Sequence, residues 1–209
     1  MNKFIFGILL LGACENSVQF EVPQPEGIKN EASIPSKLRG TYKHITNPES
    51  LTIMDNQIIK AIHIKNTFPK SELDSAEAAG IHGDTAVTLK EDHTIYFLQI
   101  KGDSACLEFT TYDTLYNVLR GDVIRKFKGH YFINTELSNN NWDVIKLTKN
   151  KTGLSLASIK KSEEIATLRE LTETASDTVY SFNPTKKQFR EFLKKKNFTN
   201  EDYYLKVKQ

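Results

Sequence analysis

The chain has little cysteine and no hydrophobic run of membrane-spanning length. Only two cysteines occur in 209 residues, so a disulfide-rich scaffold is excluded. The longest apolar run, residues 4–11, is about half of the ~20 residues that a transmembrane helix needs. Lysine plus arginine (28) nearly balance aspartate plus glutamate (26), which argues against a nucleic-acid partner because such partners favour a concentrated basic face.

Recognisable catalytic and nucleotide-binding motifs are also missing. The sequence contains no G-x-S-x-G elbow, no H-E-x-x-H helix, no P-loop and no G-x-G-x-x-G loop. The histidines occur singly, and none forms a ligand-spaced pair or neighbours a cysteine: His44, His63, His82, His93 and His130. We therefore expect no catalytic, cofactor-binding or metal site of a familiar class, and a non-enzymatic role is favoured. The many carboxylates leave a glycosidase-type pair open.

The first fourteen residues have the layout of an export signal. Lys3 supplies a positive charge, residues 4–11 a short apolar core, and Gly12 and Ala13 two small residues directly before Cys14. The segment resembles a bacterial lipoprotein signal peptide that ends in a lipobox of the form Leu-Gly-Ala-Cys. The resemblance implies cleavage after residue 13, a diacylglyceryl thioether on the Cys14 sulfur and an acyl group on its amine. An ordinary cleaved secretory signal is the alternative.

Composition divides the chain that follows residue 13. Residues 14–36 are rich in Pro, Glu, Asn and Ser, which predicts a lipidated N-terminus on a flexible tether. Beyond them, short apolar-alternating segments separated by turn residues predict successive hairpins and hence antiparallel sheet. The predicted strands are residues 51–54, 58–64, 86–89, 94–100, 105–111, 142–147 and 154–159.

Helical periodicity is concentrated near the C-terminus. Ser162 and the two glutamates after it open an amphipathic pattern. Thr185 and Gln188 form a capping box for a second helix, and a shorter helix is predicted over residues 70–79. The predicted fold class is α+β: an antiparallel, β-rich hairpin sheet with two C-terminal helices.

A weak internal repeat raises the question of two duplicated halves. Three short matches recur in the same order at nearly constant offset: residues 37–42 with 126–131, 70–72 with 161–163, and 84–86 with 177–179. On this basis residues 37–125 are predicted as a first β-rich half and residues 126–209 as a second, α+β half. The alternative is that hairpin proteins reuse the same turn residues.

Five of the ten aspartates are followed by Ser or Thr and then by a small or aliphatic residue. The tripeptide resembles the acceptor of a bacterial periplasmic O-glycosylation system, and the resemblance implies bulky surface glycans. The structural alternative is that Asp closes a turn and the next two residues begin a strand. We expect Ser75 and Thr114 to be the best acceptors. The hydroxyls concerned are Ser75, Thr85, Ser104, Thr114 and Thr178.

Two further features bear on binding. Cys106 alternates with apolar neighbours, so we expect a buried strand residue and not a nucleophile. Several aromatic residues exceed what hairpin tips need and supply contact area for sugars, peptides or lipids, or else pack between sheet and helix: Tyr112, Tyr116, Tyr131, Phe132, Trp142, Tyr203 and Tyr204.

These features predict an exported lipoprotein, anchored to a membrane of the cell envelope through Cys14 and facing the periplasm or lying at the outer membrane. It would act as a binding or interaction module for an envelope protein or a glycan. One alternative is an envelope hydrolase with dispersed catalytic residues, which converging carboxylates or a histidine–carboxylate pair would favour. The other is an immunity- or inhibitor-type lipoprotein, which a flat apolar patch would favour.

Overall fold

A computed structural model describes residues 18–75, 80–89, 95–137, 139–174 and 180–207. Within these ranges the chain is β-rich with two α-helices, α1 (Ser162–Thr172) and α2 (Lys186–Lys194), which confirms the predicted α+β class. The strands are β1 (Gln19–Phe20), β2 (Gly40–His44), β3 (Glu49–Ile53), β4 (Gln57–Pro69), β5 (Gly80–His82), β6 (Thr85–Leu89), β7 (Ile95–Lys101), β8 (Ser104–Asn117), β9 (Val123–Phe127), β10 (His130–Glu136), β11 (Trp142–Lys149), β12 (Gly153–Ser158), β13 (Ser181–Phe182) and β14 (Asn200–Lys206). Short 3₁₀ helices cover Ser36–Leu38, Lys70–Ser75 and Val118–Arg120.

All of these strands belong to one hydrogen-bonded sheet. Its path runs β13-β1-β11-β12-β14-β2-β3-β4-β8-β7-β6-β5, and β10 lies between β11 and β9. Every pairing is antiparallel except that of β1 with β13. The predicted hairpins therefore exist as β3–β4, β6–β7, β7–β8 and β11–β12, with strand ends within a few residues of the expected ones except for β4 and β8, which extend further.

The two faces of the central strands bury different cores because strand side chains alternate in direction. Strand β10 sends Tyr131 and Ile133 into a core shared with β2, β3, β4, β8, β9, β11, β12 and β14. Its Phe132 side chain lies in a second core, the helix-side core, where the two α-helices cover the sheet with Leu168, Phe189 and other apolar side chains. We call this double-sided part of the molecule the body.

Strands β4 and β8 continue beyond the body as a long antiparallel pair. They contain 13 and 14 residues, so at ~3.4 Å per residue each spans more than about 40 Å. Strands β7, β6 and β5 pair in succession along β8 and enclose a small separate core that includes Leu98, Ala105 and Leu107. We call the arm β5, β6 and β7 together with residues 61–69 and 104–113.

A β-bulge separates the arm from the body. Ile58 pairs with Tyr116 whereas Ile59 pairs with Thr114, so Leu115 is the extra residue on β8. The bulge shifts the alternation by one position. Tyr116 is therefore buried in the body core. The other even-numbered residues of β8 come before the bulge, and their side chains lie on the solvent side of the arm.

Residues 18–36 correct the predicted flexible tether. Phe20 and Ile34 are almost fully buried. The Gln24 backbone exchanges hydrogen bonds with the buried Asn134 side chain, at 2.5 and 2.9 Å, and the Glu31 N–H donates to the carbonyl of Ile124 at 2.8 Å. The segment has no local periodicity because its partners are distant in sequence. Residues 14–17 lie outside the described ranges.

The predicted division at residue 125 falls inside β9, and the body core draws residues from both sides of it. Each predicted half does contain a three-stranded antiparallel meander followed by a helical segment: β2-β3-β4 before Lys70–Ser75, and β10-β11-β12 before α1. Residues 177–179 of the third match lie outside the described ranges. The duplication stays a prediction.

The C-terminal helices begin where the sequence predicts. Thr185 accepts a hydrogen bond from the Gln188 N–H, and the Gln188 side chain accepts one from the Thr185 N–H at 2.8 Å. At the start of α1 the cap is Lys161, and the Glu164 carboxylate accepts from its backbone N–H at 3.2 Å. The third predicted helix is a 3₁₀ segment as far as Ser75, and residues 76–79 lie outside the described ranges.

Candidate functional site

One face of the arm carries the small core, and the described side chains of the opposite face are mostly exposed. Along β7 the side chains of Leu98 and Ile100 are buried, so those at residues 95, 97 and 99 point the other way. The register places Thr85, Gln99, Cys106 and Thr67 in one row across β6, β7, β8 and β4. We call the side that carries this row the outer face of the arm.

The outer face exposes large apolar side chains. Phe97 is 68% exposed, Ile95 53% and Tyr112 74%. Exposed hydrophobic residues that occur singly are ordinary, but a group on one face indicates an interaction site. Phe97 was missed from the sequence because residues 95–98 are apolar on both faces of the strand, so alternation alone does not tell which face is covered.

An ion cluster lies on the same face. The Lys65 ammonium is 3.0 Å from one carboxylate oxygen of Glu108, and His63 Nε2 is 3.2 Å from the other. The hydrogen bond between Lys65 and Glu108 raises the pKa of the lysine and lowers the pKa of the glutamate. Both groups therefore stay charged at neutral pH, and the face carries no large excess of one sign there.

Cys106 differs from its expected burial. It is half-buried on the outer face, because its neighbours Ala105 and Leu107 occupy the core positions of β8. The alternating pattern predicted correctly that Cys106 lies in a strand, but the prediction that it faces the core was wrong. No disulfide involves it among the described residues.

Of the aromatic residues singled out from the sequence, Tyr112 and Tyr203 are exposed. Trp142 is half-buried. The remaining four are core residues: Tyr116, Tyr131, Phe132 and Tyr204. Most of the predicted aromatic candidates therefore stabilise the fold, and Tyr112 is the one that joins the outer face of the arm.

The four histidines that the structure describes lie on different strands, β2, β4, β5 and β10. His44 packs edge-on against Tyr204, with ring centroids 5.0 Å apart, and its Nε2 is 3.6 Å from Asp202. His130 instead contacts the Thr148 hydroxyl at 2.8 Å. In the described part of the chain, His, Cys, Asp and Glu side chains do not gather in groups of three or more that could hold a metal ion. His93 lies outside that part.

The predicted glycan acceptors occupy different environments. Thr85 and Ser104 are exposed near the tip of the arm, and Thr114 is half-buried close to the bulge. For Ser75 the structure describes the backbone, at the end of a 3₁₀ helix. Thr178 lies outside the described ranges.

Cys14, the predicted lipidation site, also lies outside the described ranges. Val18, four positions later, is already buried in the helix-side core. Within the described part of the chain, the helices fall short of the length and hydrophobicity that spanning a bilayer takes.

Comparisons of the chain with models of protein families, with curated proteins and with solved structures found no match. The candidate site therefore depends on its own geometry. That geometry offers a broad face with exposed aromatic and aliphatic side chains and an internally neutralised ion cluster.

Proposed function

We propose that this chain is a lipid-anchored interaction module of the cell envelope that binds a partner protein through the outer face of the arm. The observation that carries the proposal is the exposure of Phe97, Ile95 and Tyr112 on one sheet face. The sheet ladder makes this face broad and open, whereas small-molecule sites are concave and bury most of their ligand. Aromatic side chains on such a face are typical anchors of protein interfaces.

The charges on the face favour a protein over a polyanion. Lys65 and Glu108 neutralise each other at 3.0 Å, so the face lacks the concentrated positive charge that nucleic acid or anionic lipid requires. A partner with an apolar centre and polar rim matches a patch in which Phe97 lies beside an ion cluster. This supports an envelope protein over a glycan as the ligand and agrees with the immunity- or inhibitor-type alternative.

The order of the sheet suits a membrane anchor at Cys14. Strand β1 and strand β5 lie at or next to opposite ends of the hydrogen-bonded path. Four residue steps from Cys14 to Val18 reach at most about 14 Å. A lipid on Cys14 would therefore hold the β1 side of the body close to the bilayer, and the arm would be at the other end of the sheet.

Site-specific crosslinking in the native host tests the proposal. A photoreactive residue at position 97 or 112 should crosslink the same envelope protein, and one at position 45 should not, because Ile45 is also exposed (53%) but lies on the body. Phe97→Thr should abolish the crosslink from position 112, whereas Ile45→Thr should leave it intact. We expect this loss because central aromatic anchors supply about 2 kcal/mol or more of binding energy.

Three outcomes would contradict the proposal. Different species at positions 97 and 112 would mean that the face is not one surface. Crosslinking to a second copy of the chain would mean that the face mediates self-association and does not bind a partner protein. Retention of the crosslink in Phe97→Thr would remove Phe97 as an anchor.

A further inference from the structure

The Asp-Ser/Thr tripeptide occurs twice on the arm in the same local structure. The chain reads Gly-Asp-Thr-Ala at residues 83–86 and Gly-Asp-Ser-Ala at residues 102–105. In both places the residues that flank Gly-Asp pair with each other across the hairpin, so each turn contains only two residues. Glycine is the first of the two, with φ of 61° and 58°, a conformation that favours glycine at the first position of such a turn.

The hydroxyl-bearing residues that follow these turns lie on the outer face of the arm. Ala86 and Ala105, the next residues along each strand, are fully buried in the small core. Because strand side chains alternate in direction, Thr85 and Ser104 point the opposite way, and both are exposed. No hydrogen bond joins either hydroxyl to a residue in the described part of the chain. Both oxygens are therefore accessible.

The aspartates do not close these turns through their side chains, as the structural alternative requires. Asn150 shows what such a contact looks like: its Oδ1 accepts from the backbone N–H groups of Thr152 and Gly153, at 3.1 and 2.6 Å. The Asp84 and Asp103 carboxylates are exposed and accept no hydrogen bond from the residues that the structure describes. Glycine accounts for each turn and alanine for the packing beneath it, so the carboxylate and the hydroxyl are left without a local structural role.

The same tripeptide has a different setting at Asp113 and Thr114. These residues lie inside the continuous strand β8, next to the bulge, and Thr114 is half-buried. Arg120 donates to the Thr114 carbonyl at 3.1 Å, and the Thr135 hydroxyl donates to the carbonyl of Leu115 at 3.1 Å. An enzyme that must enclose the acceptor hydroxyl therefore has less room here than at a two-residue turn.

We propose that Thr85 and Ser104 carry O-linked glycans, attached in the cell envelope by an enzyme that recognises the preceding aspartate. The side-chain oxygen attacks the anomeric carbon of a sugar that is joined to a lipid diphosphate. A new carbon–oxygen bond forms, the bond from that carbon to the phosphate breaks, and the diphosphate leaves with the electron pair while the enzyme takes the hydroxyl proton. Glycans are bulky and solubilising, which suits exposed turns. The structure thus favours other acceptors than Ser75 and Thr114, which the sequence favours.

The two sites lie at the tip end of the outer face, beyond its apolar side chains. Thr85 pairs with Gln99, two positions closer to the tip than Phe97, and Ser104 pairs two positions further out. Two strand positions correspond to ~7 Å. The glycans would therefore lie between the tip and the proposed protein interface. They are detected by peptide mass, so their test does not depend on a partner protein.

Mass spectrometry of the protein purified from its native host tests the proposal. Trypsin should release residues 71–90 and 102–120 as two peptides, and electron-transfer fragmentation locates the modified residue within each. We expect one glycan on Thr85 in the first peptide and one on Ser104 in the second. Thr85→Val keeps a β-branched side chain suited to a strand, and its intact mass should fall by one glycan.

Two comparisons test whether the aspartate is recognised. Asp84→Asn should abolish the glycan on Thr85 and leave the glycan on Ser104, because the charge is lost at one turn only. Thr67 is the control within the parent chain, since it is exposed on the same face of the arm but follows Asn66 in place of an aspartate. It should stay unmodified.

Three outcomes would overturn the proposal. Unmodified Thr85 and Ser104 in the protein from its native host would remove both sites. A glycan on Thr114 or Thr67, with both turn residues free, would show that an exposed turn after aspartate does not select the acceptor. A glycan retained on Thr85 in Asp84→Asn would rule out recognition of the carboxylate.

Discussion

At Gly153 the backbone of β14 passes closer than a side chain permits. A Cβ atom there would lie 1.9 Å from the carbonyl oxygen of Tyr204 and 3.0 Å from the Cα of Leu205. From the sequence, Gly153 is expected as a turn residue after Asn150, and it does end that turn. Its second requirement, close approach of another strand, comes from a residue some fifty positions later and is invisible to local patterns.

Gly153→Ala should destabilise the fold by about 1–3 kcal/mol, the usual cost of overpacking, because the clashing atoms are backbone and not a flexible side chain. The control is Gly80→Ala, where the nearest atom, His82 Nε2, is 3.8 Å from the new Cβ. Urea unfolding of both variants checks this. Equal midpoints for Gly153→Ala and the parent chain would show that β12 and β14 separate at little cost.

At the scale of elements, helix α2 depends on its first turn. The helix has nine residues, and short helices are marginal in water, so capping and packing must hold it in place. Phe189 and Phe192 are fully buried against the sheet, and the Gln188 side chain also donates to the carbonyl of Leu171 at 2.5 Å, which links α2 to α1.

Thr185→Ala should lower the free energy of unfolding by about 1 kcal/mol, because the N-cap hydrogen bond to the Gln188 N–H is lost. Thr185→Asp keeps an N-cap acceptor and should restore stability to the parent value. Chemical unfolding followed by circular dichroism measures both. A Thr185→Ala midpoint that matches the parent would mean that packing of Phe189 and Phe192 alone specifies the helix start.

Elements with local signals were predictable and those with distant partners were not. The capping box at Thr185 and the alternation around Leu154 are complete within a few residues, so the strands and helices they predict are present. Phe20 and Ile34 lack such neighbours. Phe20 pairs with Trp142 on β11, more than a hundred residues away, and the Ile34 N–H donates to the carbonyl of Asp55 in the β3–β4 turn, about twenty residues away. In the arm, Phe97 belongs to a run that is apolar on both faces, so the outer face could not be inferred from one sequence.

At the scale of the whole molecule, the body and the arm differ in how their faces are covered. The body holds the double-sided core and the helices, whereas the arm has a small core on one face and exposes Ile95, Phe97 and Tyr112 on the other. Because Val18, four positions after Cys14, is already buried, the described fold starts almost at the predicted anchor. If Cys14 is lipidated, this one residue determines whether the body is held at the membrane.

Cys14→Ser should move the protein from the membrane to the soluble fraction of its host. Each buried methylene of an acyl chain contributes ~0.8 kcal/mol, so more than one chain makes release negligible and their loss makes it complete. Cys106→Ser is the matched control. It removes the chain's other thiol, which is half-buried on β8, and should leave the protein at the membrane. Mass spectrometry of the N-terminal peptide should show cleavage before Cys14 and added acyl mass in the parent chain. Membrane association of Cys14→Ser together with an unmodified N-terminal peptide in the parent would exclude the lipid anchor, and the closeness of β1 to the bilayer would no longer follow.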